Sequence, residues 1–405
     1  MKKVLITGTF DVIHPGHLNL ISQAQKLGDF LIVVVARDIN VVKAKGREPY
    51  YNEQQRLMNL ENFFKRIQKI KINRQVNFKT QITNYKIILG DEYNPYKVID
   101  DEQPEVIALG YDQSMFVEGL KEKIKNSENN KLKIKKIKIV ELGPFKEDIC
   151  KSKSFRRVLE DQSAGFLLIN KPTDWTSHDV VGKLRSVTKI KQIGHAGTLD
   201  PFATGLLICG LGQATKMMDL FHLLPKVYEA KIKLGVASDT YDRTGKIEKI
   251  RNLENQKIGQ LEIKKVLPLF IGKQQQLPPM FSAKKIDGQK LYQLARQGKT
   301  VARRLAEIEI YSLELTDFDF KSSVINFKIT CSAGTYIRTL AHDIGQKLCT
   351  GAILEELKRT AIGGFNVSQA VQLSQLTKDN YSKYLLKPLA VIDLLNLSYA
   401  RNAWQ

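Results

Sequence analysis

Residues 194–205 read Gly-His-Ala-Gly-Thr-Leu-Asp-Pro-Phe-Ala-Thr-Gly. The segment places one carboxylate, Asp200, among three glycines and directly before Pro201. Glycine at this density disfavours a helix, and Pro201 has no amide to offer a central strand. The pattern is typical of a loop that holds one aspartate in place, and such loops often carry function. An ordinary glycine-rich turn with a solvated aspartate has the same local composition.

Further blocks surround this loop in a fixed order. They read Leu-Leu-Ile-Asn-Lys-Pro at 167–172, Lys-Val-Tyr-Glu-Ala at 226–230, Gln-Leu-Pro-Pro-Met-Phe-Ser-Ala-Lys-Lys at 276–285 and Cys-Ser-Ala-Gly-Thr-Tyr-Ile-Arg-Thr-Leu at 331–340. Together with the loop they resemble the TruB-type tRNA pseudouridine synthases over residues 163–375. The resemblance implies isomerisation of the T-loop uridine of tRNA, position 55, with tRNA as partner and with no metal or cofactor.

The same resemblance implies roles for seven residues. Asp200 would be the nucleophile, Arg338 its ion-pair partner, and Tyr228 an aromatic that stacks on the uracil and can transfer a proton. A guanidinium within about 4–6 Å favours the ionised form of a carboxylate. RNA contact is implied for four more residues: His195, Lys171, Tyr336 and Leu357. Taken alone, Tyr228 and Leu357 are equally typical of core positions.

The pattern of the second half predicts an α+β domain with a mixed, largely antiparallel sheet. Alternating β-branched and aromatic residues predict strands at 228–234, 306–315 and 324–331. Helices are expected at 178–187, 290–297, 339–348 and 351–359. The segment 376–405 is expected to be a short C-terminal tail, with no room for a full PUA domain, an RNA-binding module common in bacterial members of the family.

Length and composition exclude several protein classes. The 405 residues predict two or three domains, and 43% hydrophobic content is sufficient for folded cores. The chain has no long apolar run typical of a membrane span, and its N-terminus lacks a secretory signal pattern. Four distant cysteines without metal-binding spacing suit a reducing cytoplasm. The net charge of +21 favours a polyanionic partner, although a lysine-rich host proteome would also produce it.

The first 160 residues follow a different pattern, that of a parallel α/β sheet. An apolar strand at 2–7 leads through a turn and His14-Pro-Gly-His17 into a helix at 18–27, and a second apolar strand follows at 30–36. A strand, helix and strand within about 35 residues form a βαβ unit. Residues 1–160 are therefore expected to form a Rossmann-like domain, and the helix N-terminus beside two imidazoles favours binding of a triphosphate.

The decapeptide at 8–17, Gly-Thr-Phe-Asp-Val-Ile-His-Pro-Gly-His, resembles the signature of cytidylyltransferase-like nucleotidyltransferases. Blocks such as Leu-Gly-Tyr-Asp-Gln at 109–113 are most similar to the archaeal FAD synthase branch, and glycerol-3-phosphate cytidylyltransferases are similar too. The resemblance implies ATP or CTP as ligand, together with Mg²⁺. Nucleotide contacts are implied for six residues: Gly8, Thr9, Phe10, His14, His17 and Asp112.

One departure from that family leaves two interpretations of the first domain. The Ile-Ser-Thr-Thr block of the cytidylyltransferases is absent, and Lys-Ser-Lys-Ser-Phe-Arg stands at 151–156 in its place. The domain can be an FAD synthase-like or CDP-alcohol-forming enzyme. Alternatively, it is a non-catalytic module that binds RNA or serves an architectural purpose.

Overall fold

A computed structural model describes residues 1–72, 84–111, 119–120, 137–146, 150, 152–250, 258–282, 284–286, 288–299 and 301–403. Contacts divide the chain into two compact units. The first unit comprises Met1–Gln162 and Leu389–Gln405, and the second comprises Ser163–Pro388. The chain thus leaves the first unit after residue 162 and returns to it at residue 389.

The first unit contains a five-stranded parallel sheet. Its strands are β1 (Lys3–Gly8), β2 (Phe30–Val35), β3 (Tyr85–Leu89), β4 (Val106–Gly110) and β5 (Lys138–Leu142). They lie in the order β3-β2-β1-β4-β5, and every pair is parallel. Near-continuous apolar strands such as β2 suit a sheet covered on both faces. The predicted Rossmann-like sheet is confirmed.

Among the described residues, helices connect successive strands of this sheet, and one more helix follows its last strand. They are α1 (Pro15–Gln25), α2 (Asp38–Lys45), α3 (Glu53–Ile72), α4 (Lys97–Glu102) and α5 (Ser152–Glu160). Helix α1 begins at a proline, whose fixed φ and missing amide suit the first helical position. Helix α3 buries Leu60, Phe64 and Ile67 at helical spacing, which fixes the face it turns to the core.

The second unit is built on a ten-stranded sheet, with two small hairpins beside it. The strands in chain order are β6 (Gly165–Lys171), β7 (Ile193–His195), β8 (Thr204–Leu211), β9 (Lys226–Leu234), β10 (Val236–Ser238), β11 (Ile247–Lys249), β12 (Gly272–Gln276), β13 (Lys285–Ile286), β14 (Gln289–Lys290), β15 (Ala306–Asp319), β16 (Val324–Cys331), β17 (Ala352–Ile362), β18 (Phe365–Asn366) and β19 (Val371–Gln372). The main path runs β12-β15-β16-β9-β17-β8-β6-β19, with β18 on β17 and β7 on β8.

Most neighbours in this sheet are antiparallel, and the pairs β17–β8 and β19–β6 are parallel. The predicted mixed, largely antiparallel sheet is therefore confirmed. The helices of this unit are α6 (Ser177–Thr188), α7 (Met218–His222), α8 (Gln260–Val266), α9 (Leu291–Arg296) and α10 (Ile337–Lys347).

The helix predicted at 351–359 was wrong. These residues belong to β17, which lies between β9 and β8 in the middle of the sheet. Leu-Glu-Glu-Leu-Lys at 354–358 has a high helix propensity, but pairing on both sides overrides it. Buried Ile353, Leu354 and Leu357 gain more from the sheet core than the local preference is worth.

The segment expected to be a tail ends in a helix. Helix α11 (Pro388–Ala403) follows a short 3₁₀ turn at Tyr381–Tyr384, and from Leu389 onwards it belongs to the first unit. Three of its apolar side chains are fully or almost fully buried, at Val391, Ile392 and Leu395. A helix that buries an apolar face is a component of a folded core rather than a tail.

Candidate active site

Asp200 lies on the loop between β7 and β8. Gly197 (φ +91°) and Gly205 (φ +101°) flank it in a conformation that side chains disfavour. A Cβ atom on Gly205 would lie 2.3 Å from the backbone oxygen of Arg359, which is closer than atoms can approach. The glycines of the motif therefore allow the loop to close tightly onto β17.

Replacing Gly205 with alanine should destabilise the second unit by about 2–4 kcal/mol, because both the φ angle and the contact with β17 oppose a side chain. Thermal or urea unfolding of the full chain measures this loss. Gly182→Ala is the matched control: a Cβ there meets nothing within 4 Å in α6, so a gain of up to about 1 kcal/mol is expected. Equal stability of the two variants would contradict the close approach.

Arg338, in the first turn of α10, faces the Asp200 carboxylate. Its Nη2 donates a hydrogen bond to Asp200 Oδ1 at 3.1 Å, and its Nε lies 3.0 Å from Oδ2 without hydrogen-bond alignment. The Arg338 side chain is only 4% exposed, whereas that of Asp200 is 32% exposed. The predicted ion pair is thus formed by a buried cation and a carboxylate that remains open on one side.

Asp242 holds the other side of the guanidinium, at 3.1 Å from its Oδ2 to Arg338 Nη1. The Asp242 carboxylate is buried and accepts further hydrogen bonds from Thr240 Oγ1, Thr244 N and Thr244 Oγ1, at 2.6–2.8 Å. The guanidinium also donates to the backbone oxygens of Thr240 and Phe281. These contacts fix its plane, so it meets Asp200 in one orientation.

Burial raises the pKa of the Asp200 carboxyl above its ordinary value. The Arg338 guanidinium lowers it, as the sequence predicted, and Asp242 raises it further. Desolvation is the largest of these effects, so the net direction is upward. The arginine therefore moderates the rise rather than reversing it.

Tyr228 and Leu357 pack in the same hydrophobic core as the apolar residues of the Asp200 loop. Both are buried on neighbouring strands, β9 and β17, in one apolar cluster with Leu199 and Phe202 from the loop. Burial raises the pKa of the Tyr228 hydroxyl, and the positive charge of Arg359 lowers it by a smaller amount. Tyr228 is therefore a neutral phenol at physiological pH, beside the Asp200 loop.

Lys171, predicted to contact RNA, instead holds the backbone. Its Nζ is buried and donates to the carbonyl oxygens of Pro172 (2.8 Å), Pro201 (2.9 Å) and Trp175. Burial lowers its pKa to about 8. All three ammonium protons have backbone partners, and one of these partners directly follows Asp200, so Lys171 acts as a positioning residue.

The two other predicted RNA contacts lie at element ends. His195 ends β7; burial lowers its pKa to about 4, and its Nδ1 has no hydrogen-bond partner among the residues that the structure describes. Tyr336 immediately precedes α10, and its backbone amide and carbonyl both pair with the side chain of Gln276. The structure thus places the neutral His195 imidazole at the start of the Asp200 loop. The Gln276 side chain fixes the backbone just before α10, the helix that carries Arg338.

Arg359 is a functional residue that the sequence analysis missed. It is 1% exposed, and it donates from Nε to the Leu206 oxygen (2.8 Å) and from Nη2 to the Gly197 oxygen (3.0 Å). These carbonyls lie at opposite ends of the Asp200 loop, so one guanidinium ties them together. The helix wrongly predicted at 351–359 concealed this residue, because only the strand register directs it toward the loop.

The predicted nucleotide residues of the first unit cluster where β1 meets α1. Strand order reverses at β1, and ligands of open α/β sheets bind outside the carboxyl ends of strands at such a point. Gly8 ends β1, Thr9 accepts a hydrogen bond from Lys45 (2.9 Å), and buried Phe10 has a left-handed φ of +49°. Asp112 lies outside the described residues.

His14 and His17 stack with their ring centroids 3.8 Å apart. Phe155 of α5 stacks on the other side of His14 at 4.9 Å, and Ser152 Oγ lies 3.1 Å from His14 Nε2. Burial is the main cause that lowers the pKa of both rings, that of His17 to about 3. The segment that replaces the Ile-Ser-Thr-Thr block therefore contacts the histidine pair, which the sequence analysis did not predict.

The described part of the chain lacks two features. No group of three or more His, Cys, Asp or Glu side chains there is arranged to hold a metal ion. No helix there combines the length and apolarity that crossing a membrane requires.

Three family models match the chain. Residues 185–337 match "TruB family pseudouridylate synthase (N terminal domain)", and residues 338–391 match "tRNA pseudouridylate synthase B C-terminal domain". Residues 5–171 match "Cytidylyltransferase-like".

Individual relatives agree with the first two models. The tRNA pseudouridine synthase B of Geobacter sulfurreducens is 46% identical over 215 residues, which cover 52% of this chain and 68% of the relative. The tRNA pseudouridine synthase B of Syntrophomonas wolfei is 43% identical over 244 residues, which cover 58% of this chain and 81% of the relative. A chain in the crystal structure of a Cbf5-Nop10-Gar1 complex is 27% identical in sequence, with a TM-score of 0.44. The match covers 56% of this chain and 62% of that one. With a cytidylyltransferase-like domain at its N-terminal end, this chain belongs to the TruB family of pseudouridine synthases.

Proposed function

We propose that the second unit converts the T-loop uridine of tRNA, position 55, to pseudouridine, with Asp200 as nucleophile. The observation that carries the proposal is the Asp200 carboxylate, open on one side and held from behind by the Arg338–Asp242 pair. Both relatives are tRNA pseudouridine synthases, which supports tRNA as substrate. The net charge of +21 favours a phosphate-rich ligand.

The reaction is an isomerisation, so uridine and pseudouridine contain the same atoms. The N1–C1′ bond of the uridine breaks, the base turns, and a C5–C1′ bond forms; the C5 proton leaves and N1 gains one. Asp200 forms the temporary covalent bond, either to the base or to the sugar. Arg338 holds the carboxylate in one orientation, and the buried Tyr228 beside the loop offers a stacking face and a hydroxyl for proton transfer.

The target base must leave its stack to reach Asp200, which costs a few kcal/mol. A loop already closed by Lys171, Arg359 and two glycines adds no further ordering cost at that moment. Pre-organisation of the nucleophile is therefore the main contribution that the fold makes to the reaction.

The raised pKa of Asp200 predicts an acid limb in the rate. Asp200 acts as a carboxylate, so activity is present above its pKa and is lost as the pH falls through it. We expect the midpoint above the ordinary value of 3.8, because burial disfavours the charge. Arg338→Met should move the midpoint further up, since the guanidinium lowers this pKa. Single-turnover rates between about pH 3.5 and 8 measure both midpoints; a wild-type midpoint at or below 3.8 would contradict the assignment.

For the first unit we propose nucleotidyl transfer from ATP or CTP. In that reaction an acceptor phosphate oxygen bonds to the α-phosphorus and pyrophosphate leaves. The paired His14 and His17 rings at the N-terminus of α1 support the proposal, since amides and imidazoles there can hold phosphates. The described residues provide no group of three or more side chains that could hold a metal ion, so the expected Mg²⁺ would take ligands from the phosphates of the nucleotide.

The test of this second proposal is pyrophosphate release. ATP and then CTP are offered with FMN, glycerol 3-phosphate and sugar phosphates, and wild type is compared with His17→Ala. Release that depends on His17 supports a bifunctional enzyme and names its donor. If no pair of nucleotide and acceptor gives pyrophosphate release while tRNA isomerisation is intact, the result favours the alternative of a module that binds RNA or is architectural. Measuring tRNA affinity and its salt dependence with and without residues 1–160 then separates those two roles. A module that binds RNA contributes to both, and an architectural module contributes to neither.

A further inference from the structure

The nucleotide unit contains residues from both ends of the chain. Helix α11 follows the whole second unit in sequence, yet Leu389–Gln405 belongs to the first unit. The match to the pseudouridylate synthase C-terminal model ends at residue 391, only three residues beyond the start of this helix at Pro388. Most of α11 therefore lies outside the part of the chain that resembles the synthase family.

The buried face of α11 is apolar except for Asn396 and Ser398, and the Ser398 hydroxyl bonds within the helix, to the Leu394 carbonyl oxygen. Val391, Ile392 and Leu395 are fully or almost fully buried, and Tyr399 packs edge-on against Phe145 at 5.9 Å. Asn396, in the middle of this face, is 1% exposed. Burying an amide is costly unless it makes hydrogen bonds that require it.

Asn396 makes one such bond, and it reaches the nucleotide site. Its Nδ2 donates to the Ile13 carbonyl oxygen at 2.8 Å, and that carbonyl belongs to the peptide that leads into His14. Its Oδ1 is buried without a partner among the described residues. For packing alone a leucine would serve better here, so the amide is best explained by its contact with Ile13.

A second contact reaches the other side of His14. The Cβ of Cys150 would lie 3.3 Å from a Cβ on Gly16. Residue 16 is thus packed against Cys150, while α11 supports the Ile13–His14 peptide directly.

We infer that α11 positions the His14–His17 segment, with Asn396 as the positioning residue for the Ile13–His14 peptide. The synthase unit is then an insertion within the nucleotide unit, which completes its site only when the end of the chain has folded back. The positioning stands on the contacts alone, and only its consequence for ligand binding rests on the proposed nucleotidyl transfer.

The test is amide hydrogen exchange of the full chain in wild type, Asn396→Leu and Asp393→Asn. Asn396→Leu keeps the branched shape and removes the donor, so amides at 13–18 should exchange about fivefold faster or more. Asp393→Asn is the matched control on the same helix: it removes only the exposed 3.3 Å pair with Arg66 and should change nothing at 13–18. Unchanged exchange at 13–18 in Asn396→Leu would overturn the inference.

Three further measurements keep the outcome interpretable. Pseudouridine formation and the unfolding transition show whether Asn396→Leu is folded, and Asn396→Ala replaces it if it is not. Binding of MgATP and MgCTP then tests the consequence, with weaker binding expected in the variant than in the Asp393→Asn control. If wild type binds neither nucleotide, the proposed transfer fails while the exchange result still decides the positioning role.

Discussion

Asp200→Asn should abolish pseudouridine formation, with a loss in rate of at least about 10⁴-fold, because the amide cannot form the covalent bond. The substitution keeps the size of the side chain and an oxygen to accept from Arg338 Nη2, so the loop should remain closed. Affinity for tRNA should therefore change by no more than about threefold, since phosphate contacts dominate binding. Tritium release from C5-labelled tRNA measures the rate, and filter binding measures the affinity.

Two outcomes would contradict this account of Asp200. Turnover within about tenfold of wild type would exclude a covalent role for the carboxylate. Loss of tRNA binding in parallel with activity would show that Asp200 contributes to recognition or folding rather than to the chemical step.

Asp242→Asn should reduce kcat by about 10²–10³-fold with little change in KM, because the guanidinium loses the anion that fixes its plane. Breaking a buried charge pair should also lower stability by about 3–5 kcal/mol. The acid limb of the pH–rate profile distinguishes loss of guanidinium positioning from general destabilisation of the fold. Asp242 raises the pKa of Asp200, so its removal should move the midpoint to lower pH, opposite to the shift expected for Arg338→Met.

Asp239→Asn is the matched control for this prediction. Asp239 lies three residues earlier, is outside the guanidinium network, and accepts a hydrogen bond from the Lys246 amide at 2.8 Å, which an asparagine oxygen can also accept. Its kcat and acid limb should equal those of wild type. A fall in kcat for Asp242→Asn with no movement of the midpoint would assign Asp242 a structural role only.

The pairing of Asp200 with Arg338 could be predicted because both residues stand in local motifs. The glycines and proline around Asp200 specify a loop whatever the rest of the chain does, and Arg338 stands in an ordered block of its own. The parallel sheet of the first unit was equally accessible, since β1, α1 and β2 follow within 35 residues. In each case the signal lies within a short stretch of sequence.

The residues that hold the pair in place depend on strand register, which the sequence does not display. Arg359 ties the Asp200 loop only because β17 pairs with β8 and β9, and its helix-like composition concealed that strand. The resemblance implied an RNA contact for Lys171, yet the fold surrounds its ammonium group with backbone carbonyls. Long-range pairing overrides local preference at both positions.

Helix α11 shows the same limit at the scale of the domain. Its apolar positions are visible in the sequence, but nothing local tells which unit they cover. Long-range contacts, such as the hydrogen bond between Asn396 and Ile13, 383 residues apart, place the helix in the first unit.

The most direct test of the central claim is the site and dependence of pseudouridine formation in a tRNA transcript. Wild type and Asp200→Asn are incubated with a C5-tritiated transcript and with one that carries cytidine at position 55. The account predicts release of one equivalent of tritium by wild type only, and none from the cytidine transcript with either protein. Release from the cytidine transcript, or equal release by Asp200→Asn, would contradict it.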